Sequence, residues 1–271
     1  MGSWKSQVGK HSVLGILIDA VDYTTVTNEI IRAAHRRYGL SVSPLAVHGV
    51  MTGVLNPKQR FRLNRLDWVV PDGQPVRWTL NLLYKSRLSD RVYGPTLMLH
   101  VCERAAKEAL PIFLYGSTPE LLARLSRRLK KQYPQLVVAG MRPSIFRRLS
   151  PEEKNDVAAE IRQSGAALVF VGLGCPRQEV WVYEFRELLS VPIIAVGAAF
   201  AFHAGIVPQA PIWMQQAGLE WLFRWYAEPW RLWRRYLLLN PGYMFLVAAQ
   251  AARVVQFDTS GQPPFEEEMY G

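Results

Sequence analysis

Short apolar runs alternate with amphipathic stretches through the middle of the chain. The runs lie at Pro111–Tyr115, Leu136–Met141, Ala167–Val171 and Pro192–Val196, and successive runs begin 25 to 31 residues apart. Parallel strands need a crossover of a dozen or more residues, usually a helix, so this spacing is typical of β-α-β units. The pattern therefore predicts a parallel sheet.

Sequences that predict the start of a helix lie between these apolar runs. Ser117-Thr118-Pro119-Glu120 and Ser150-Pro151-Glu152-Glu153 each combine a capping residue, a first-turn proline and an acid that can complete a capping box. The first hundred residues continue the alternation, with strands expected at Val13–Ile18, Pro44–Val47 and Trp68–Val70 and helices at Thr25–Tyr38, Gln74–Tyr84 and Pro95–Ala109. We predict an α/β fold with a Rossmann-like, mostly parallel sheet and helices on both of its faces.

The composition changes after about Gly205. Tryptophans and arginines are interleaved there, at Trp213, Trp221, Arg224, Trp225, Trp230, Arg231, Trp233, Arg234 and Arg235. Such a segment suits a membrane interface, core packing or stacking on single-stranded nucleic acid, although no recognised nucleic-acid module accompanies it. We expect residues 1–204 to form the α/β domain, 205–255 a C-terminal helical appendage, and 256–271 a disordered tail, because Thr259–Gly271 is polar and contains proline.

Composition and charge narrow the class of protein. A chain of 271 residues with 49% hydrophobic and 20% charged residues is typical of one large globular domain, with or without an appendage. The net charge of +10 favours partners that carry phosphate, although a mildly basic solvated surface gives the same balance. The only candidate membrane span, Tyr236–Val255, is interrupted by polar residues and a proline, so we reject a transmembrane helix and leave an interfacial one open. Cys102 and Cys175 belong to no metal or redox motif and are expected to be reduced thiols.

Candidate chemistry lies in loops that follow predicted strands, where open α/β sheets bind ligands. Asp72, in a Pro-Asp-Gly turn, is either a turn residue or a general base. The glycines of Gly172-Leu173-Gly174 form either a tight turn or a close approach to phosphate at a helix start. Position 177 is arginine where a dinucleotide fingerprint needs its third glycine, which counts against an oxidoreductase.

The sequence offers no obvious metal site. No Asp-x-Asp occurs, and the five histidines show no ligand spacing. We therefore expect neither a metal nor another cofactor. A diphosphate leaving group would then need stabilisation by arginines and backbone N–H groups.

Several separated motifs together resemble the WecG/TagA/CpsF family of bacterial glycosyltransferases, from about Val13 to Arg235. They are Val70-Pro71-Asp72-Gly73, Arg91-Val92-Tyr93-Gly94, Gly172-Leu173-Gly174-Cys175-Pro176-Arg177-Gln178-Glu179, Val196-Gly197, and Ala210-Pro211-Ile212-Trp213-Met214 leading to Gly218-Leu219-Glu220-Trp221-Leu222-Phe223-Arg224 and Glu228-Pro229-Trp230-Arg231. The closing block is long and unusual, so the resemblance is specific.

The resemblance implies a metal-independent, inverting transferase, hexosyl or N-acetylhexosaminyl in type. It implies transfer from a UDP-sugar to a polyprenyl-diphosphate-linked sugar in the synthesis of exopolysaccharide, teichoic acid or common antigen. Such an enzyme is peripheral at the cytoplasmic face of the bacterial inner membrane and binds no nucleic acid, and a homo-oligomer is left open. The appendage would associate with the membrane and complete the active site.

The resemblance also implies roles for individual residues. Asp72 corresponds to the proposed base. We expect the donor to be bound by Gly73, Arg91, Gly172, Gly174, Gln178 and Gly197, and the acceptor diphosphate and the membrane to be contacted by Arg224, Arg231, Arg234 and Arg235.

Three positions depart from the family pattern. Val47-His48-Gly49 stands where the family often has Thr-Pro-Asn, and Thr96 and Ala201 replace frequent aspartates. Each lost polar group is a candidate contact to the sugar or ribose. The donor sugar therefore stays open, and so does the alternative of a non-catalytic nucleotide-sugar or lipid-binding module of the same fold.

Overall fold

The structure is a computed structural model that describes residues 9–227, 229–230 and 235–271, with positions 227, 235 and 236 described through their backbone only. It begins with an antiparallel hairpin, β1 (Lys10–Val13) and β2 (Ile16–Asp19). The prediction of one strand at Val13–Ile18 is wrong, because Leu14 and Gly15 both adopt positive φ, 53° and 84°. Two such residues form the primed type of turn that reverses a hairpin.

Six parallel strands form the central sheet, and this confirms the predicted α/β fold. They are β3 (Leu40–Leu45), β4 (Trp68–Pro71), β5 (Ile112–Tyr115), β6 (Val138–Arg142), β7 (Leu168–Val171) and β8 (Pro192–Ala195). Their order across the sheet is β4-β3-β8-β7-β5-β6. Each of the four apolar runs in the middle of the chain therefore contributes a strand. The prediction at Pro44–Val47 captured only the end of β3, whose Ser41 and Ser43 interrupt the apolar signal.

Helices cover both faces of this sheet, as predicted. They are α1 (Tyr23–Arg36), α2 (Val47–Leu55), α3 (Pro57–Leu63), α4 (Gln74–Tyr84), α5 (Gly94–Lys107), α6 (Pro119–Gln132), α7 (Pro151–Gln163), α8 (Arg177–Phe185) and α9 (Ala199–His203). Alternate strand residues enter opposite cores: Phe113 packs with α7 and α8, whereas Leu114 packs with α1, α5 and α6. Helix starts follow the sequence, since Thr118 caps α6 and Ser150 forms a capping box with Glu153.

The appendage continues as α10 (Ile212–Gln216), α11 (Glu220–Ala227), a π-helical turn (Arg235–Leu239) and α12 (Asn240–Ala251). α12 is tied to the core, because Tyr243 is fully buried and its hydroxyl lies 2.8 Å from that of Thr79. Trp213 and Trp230 are 62% and 91% exposed, so core packing does not explain these two indoles. Within the part of the chain that the structure describes, no helix is both long and apolar enough to cross a membrane.

The prediction that Thr259–Gly271 lacks packed structure is wrong. The Glu184 carboxylate accepts hydrogen bonds from the backbone N–H groups of Glu268 and Met269 at 2.7 and 2.9 Å. The Leu149 N–H donates to the Met269 carbonyl at 2.7 Å, and Lys154 pairs with Glu267 at 2.6 Å. These partners lie far away in sequence, so local polarity cannot reveal them.

Candidate active site

A cavity of about 580 Å³ extends across the carboxyl edge of the sheet. Its wall includes residues from the loops after five strands, namely Asp72 after β4, Ser117 after β5, Ser144 after β6, Gly172 after β7 and Gly197 after β8. This is the edge where open parallel sheets bind ligands, because strand-to-helix loops and helix N-termini converge there. The cavity is large enough for a nucleotide-sized ligand.

Asp72 occupies the first position after β4, partly buried at the β4 end of this cavity. The Gly94 N–H donates to its Oδ1 at 2.6 Å, which fixes the carboxylate against the start of α5. Burial raises the pKa of Asp72 to about 6, and the charge of Glu220 adds to that rise, whereas Arg91, the Gly94 N–H and Arg224 oppose it. A carboxylate with this pKa is mostly ionised at neutral pH and is a better proton acceptor than an ordinary aspartate.

A second, smaller cavity of about 110 Å³ lies on the other side of Asp72. Its wall combines core residues with residues of the appendage, including Gly73, Arg91, Glu220, Trp221 and Arg224. Asp72 and Arg224 line both cavities. Asp72 therefore lies where the two cavities meet.

A buried ion pair joins the appendage to the core beside Asp72. The Arg91 guanidinium donates to Glu220 at 2.6 Å, and the Tyr93 hydroxyl donates to the same carboxylate at 2.8 Å. Arg91 and Glu220 are 7% and 8% exposed. The roles of Tyr93 and Glu220 were missed from the sequence, although both belong to the quoted motifs, because their partnership spans more than a hundred residues.

Three glycines in the wall of the larger cavity allow the main chain itself to line the cavity. Gly174 adopts a φ of 79° and faces open space, whereas a Cβ on Gly197 would lie 2.7 Å from Gln178 Oε1. A Cβ on Gly172 would collide with the Phe200 ring at 2.4 Å. The structure thus brings Gly172, Gly174, Gln178 and Gly197 together in the larger cavity, while Gly73 and Arg91 line the smaller one.

The side chain of Gln178 is held by the buried carboxylate of Glu179, a residue whose role was not predicted from the sequence. Its Nε2 donates to Glu179 at 2.9 Å, and the Ser43 hydroxyl donates to the same oxygen at 3.3 Å. Burial raises the pKa of Glu179. Gln178 Oε1 is buried and has no hydrogen-bond partner within the protein.

Of the four arginines expected to contact the acceptor diphosphate and the membrane, only Arg224 is described in full. Its guanidinium lies 5.6 Å from the Phe202 ring centre, at the boundary of the two cavities. Arg231 and Arg234 lie outside the described residues, as does the side chain of Arg235. Three of the positions that depart from the family pattern, His48, Gly49 and Ala201, line the larger cavity, whereas Val47 and Thr96 are not part of its wall.

Among residues 9–227, 229–230 and 235–271, no group of three or more His, Cys, Asp or Glu side chains has an arrangement suitable for a metal. Cys102 is buried and Cys175 half-buried, and neither forms a disulfide.

Comparison with known proteins assigns the chain to a family. The sequence model described as the glycosyl transferase WecG/TagA/CpsF family matches residues 11–256. The chain therefore belongs to this family, whose members are glycosyltransferases of cell-surface polysaccharide synthesis that work with a sugar donor and a lipid-linked acceptor. Residues 257–271 follow the matched region.

Proposed function

We propose that this member of the WecG/TagA/CpsF family is an inverting, metal-independent transferase of a hexosyl or N-acetylhexosaminyl group. It moves the sugar from a UDP-sugar to a polyprenyl-diphosphate-linked sugar at the cytoplasmic face of the bacterial inner membrane. The observation that carries this proposal is the position of Asp72 between two cavities. An inverting base must contact the acceptor hydroxyl beside the donor's anomeric carbon, and a residue shared by two cavities meets that requirement.

The larger cavity suits the donor. The loop from Gly172 to Gly174 lines this cavity beside the start of α8, and the first N–H groups of a helix favour a diphosphate. Gly197 keeps the wall beside Gln178 free of side chains, because any Cβ there would displace its amide. Gly49 and Ala201, which line this cavity, stand where the family often has polar side chains, so these positions are candidates for determining which sugar is accepted.

The smaller cavity, which the appendage closes, suits the reacting end of the acceptor. Asp72 takes the proton of the acceptor hydroxyl while the oxygen of that hydroxyl bonds to the anomeric carbon. The bond from that carbon to the diphosphate oxygen breaks, and UDP leaves with the electron pair. A positioned general base contributes about 10²- to 10⁴-fold to the rate. Arg224, which lines both cavities, is placed to stabilise diphosphate charge, as are backbone N–H groups.

The appendage suits a membrane-bound acceptor. Its large apolar side chains include exposed ones, namely Ile212, Trp213, Trp221, Leu222, Tyr226, Trp230, Leu237, Leu238, Met244 and Phe245. Indole rings and arginines are favoured at the headgroup level of a bilayer, and anionic lipid attracts basic side chains. We infer that Arg231, Arg234 and Arg235 act at this surface or on the acceptor diphosphate.

A non-catalytic nucleotide-sugar or lipid-binding module is the second candidate, because Gly49 and Ala201 lack the polar side chains common in the family. One assay separates the two candidates: transfer from UDP-hexoses, UDP-N-acetylhexosamines and UDP-uronic acids to a polyprenyl-diphosphate-linked sugar, with Mg²⁺ and with excess EDTA. We expect transfer from one donor class, and its rate with excess EDTA should lie within a few-fold of its rate with Mg²⁺. Binding of a donor without transfer would favour the second candidate, and loss of transfer on chelation would contradict metal independence.

A further inference from the structure

Tyr23 lies behind the Asp72 site, outside both cavities. It is the first residue of α1, and it lines neither the larger nor the smaller cavity. Its hydroxyl accepts a hydrogen bond from the Tyr93 N–H at 2.9 Å, and its ring centre lies 5.2 Å from that of His100 on α5. Tyr23 therefore joins the start of α1 to the N-terminal part of α5 and to the residue before it.

A short stretch of backbone connects Tyr23 to Asp72. The Tyr93 N–H donates to the Tyr23 hydroxyl, and the N–H of the next residue, Gly94, donates to Asp72 Oδ1 at 2.6 Å. Tyr93 is only 6% exposed, and a buried N–H that loses its partner is unfavourable. Loss of the Tyr23 hydroxyl should therefore displace this peptide, and with it the neighbouring peptide that holds Asp72.

The Tyr23 hydroxyl is protonated at neutral pH. Burial raises the pKa of Tyr23 to about 12, against the effect of hydrogen bonds with the Tyr93 N–H and the Thr96 side chain. The charges of Asp90 and Asp72 also raise this pKa. Tyr23 is therefore a neutral hydrogen-bond partner and not a second base. Thr96, a position that departs from the family pattern, contacts Tyr23.

We propose that Tyr23 is a positioning residue for the transfer reaction, which holds the backbone at Tyr93 so that the Gly94 N–H orients the Asp72 carboxylate. This inference rests on the proposed role of Asp72 as the base. Burial raises the pKa of Asp72, and the Gly94 N–H opposes that rise. A displaced Gly94 N–H therefore leaves the carboxylate both misoriented and more readily protonated.

The first test compares Tyr23→Phe with the unaltered protein, because phenylalanine keeps the ring beside His100 and removes only the hydroxyl. A catalytic group displaced by about 1 Å can lose about 10²-fold in rate, so kcat should fall at least about tenfold. The Kd for UDP should stay unchanged, because Tyr23 is not part of the larger cavity. Tyr84→Phe is the matched control, because its hydroxyl also bonds to backbone, the Ser12 carbonyl at 2.6 Å, and it lines neither cavity.

The pH–rate profile distinguishes positioning of the base from a general loss of folded protein. The acid limb of Tyr23→Phe should move to higher pH, since a weakened Gly94 bond opposes the raised pKa of Asp72 less. Three charged groups that also act on Asp72 are unaltered in this variant, namely Arg91, Glu220 and Arg224. Unchanged kcat, an unmoved acid limb, or equal losses of turnover and UDP binding would each overturn the proposal.

A double-variant cycle separates this inference from the proposed function. Because Tyr23 acts through Asp72, Tyr23→Phe should cause no further loss in Asp72→Asn, whose residual turnover already lacks the base. The same fold loss in both backgrounds would show that Tyr23 acts independently of Asp72, and would overturn the proposal. Normal turnover of Asp72→Asn alone would instead contradict the proposed base, and the proposed function with it.

Discussion

The guanidinium of Arg91 and the carboxylate of Glu220 lie 2.6 Å apart in a buried ion pair that connects the α/β core to the appendage. Tyr93 donates to the same carboxylate, and the next residue, Gly94, donates its N–H to Asp72. Docking of the appendage is therefore connected by direct contacts to the carboxylate that we propose as the base. Removing one partner of such a pair leaves a buried charge without compensation, at a cost of about 3–5 kcal/mol.

Glu220→Gln should lower transfer by at least about tenfold, because the neutral amide no longer balances Arg91. It should also move the acid limb of the pH–rate profile to lower pH, since the charge of Glu220 raises the pKa of Asp72. Steady-state rates from pH 5 to 8 would measure both effects. Glu187→Gln is the control, because Glu187 is a solvent-exposed acid beside Arg186. Unchanged turnover and an unmoved acid limb in Glu220→Gln would show that the ion pair has no influence on the base.

Asp72→Asn should stabilise the protein at alkaline pH. The pKa of Asp72 is raised from 3.8 to about 6, so the folded state holds this proton more tightly than the unfolded state. The resulting stabilisation is complete below the unfolded value and is lost as pH rises through about 6. The difference corresponds to about 3 kcal/mol. The variant cannot ionise and keeps an acceptor for the Gly94 N–H, so it does not lose this stability.

Urea unfolding of both proteins at pH 8 and pH 4.5 measures this difference. The free energy of unfolding of Asp72→Asn should exceed that of the unaltered protein by up to about 3 kcal/mol at pH 8 and by much less at pH 4.5. A gain of the same size at both pH values would show that the change acts through packing rather than through ionisation.

Much of the fold follows from local sequence, and most of the tertiary partnerships do not. The apolar runs and the caps at Thr118 and Ser150 act over a few residues, so the strands after residue 110 and their helices were predictable. The edge of the sheet that holds Asp72 followed from the same rule, because parallel strands align their carboxyl ends.

The pairing of Arg91 with Glu220 could not be predicted, since it joins residues 129 positions apart. The contacts of residues 267–271 are equally remote in sequence, and they explain why a polar stretch is packed. Tyr23 carries no signal of its own, because an isolated aromatic residue at the start of a helix is common. Its hydrogen bond with the Tyr93 N–H becomes visible only in the folded chain.

The exposed tryptophans of the appendage should contribute to membrane binding. Replacing Trp213 and Trp230 with serine should reduce co-sedimentation with anionic liposomes several-fold, because indoles favour the headgroup region. Replacing Arg231, Arg234 and Arg235 with glutamine should also reduce co-sedimentation with these liposomes. Raised salt should cause a similar reduction in the unaltered protein. Phe265→Ser, which removes an exposed aromatic residue of the 257–271 segment, is the control. Liposome binding that is insensitive to all these changes would place the membrane contact elsewhere.

The central claim is that Asp72 is the base of the transfer reaction, and the turnover of Asp72→Asn tests it most directly. Asparagine preserves the shape and the hydrogen bond to Gly94 but cannot accept the proton, so turnover should fall by at least about 10²-fold while UDP binding is retained. In the unaltered protein, kcat/KM should rise with pH through about 6 and then level off, because the ionised carboxylate is the active form. Turnover of Asp72→Asn near that of the unaltered protein, with both proteins folded and binding the donor equally, would contradict the account.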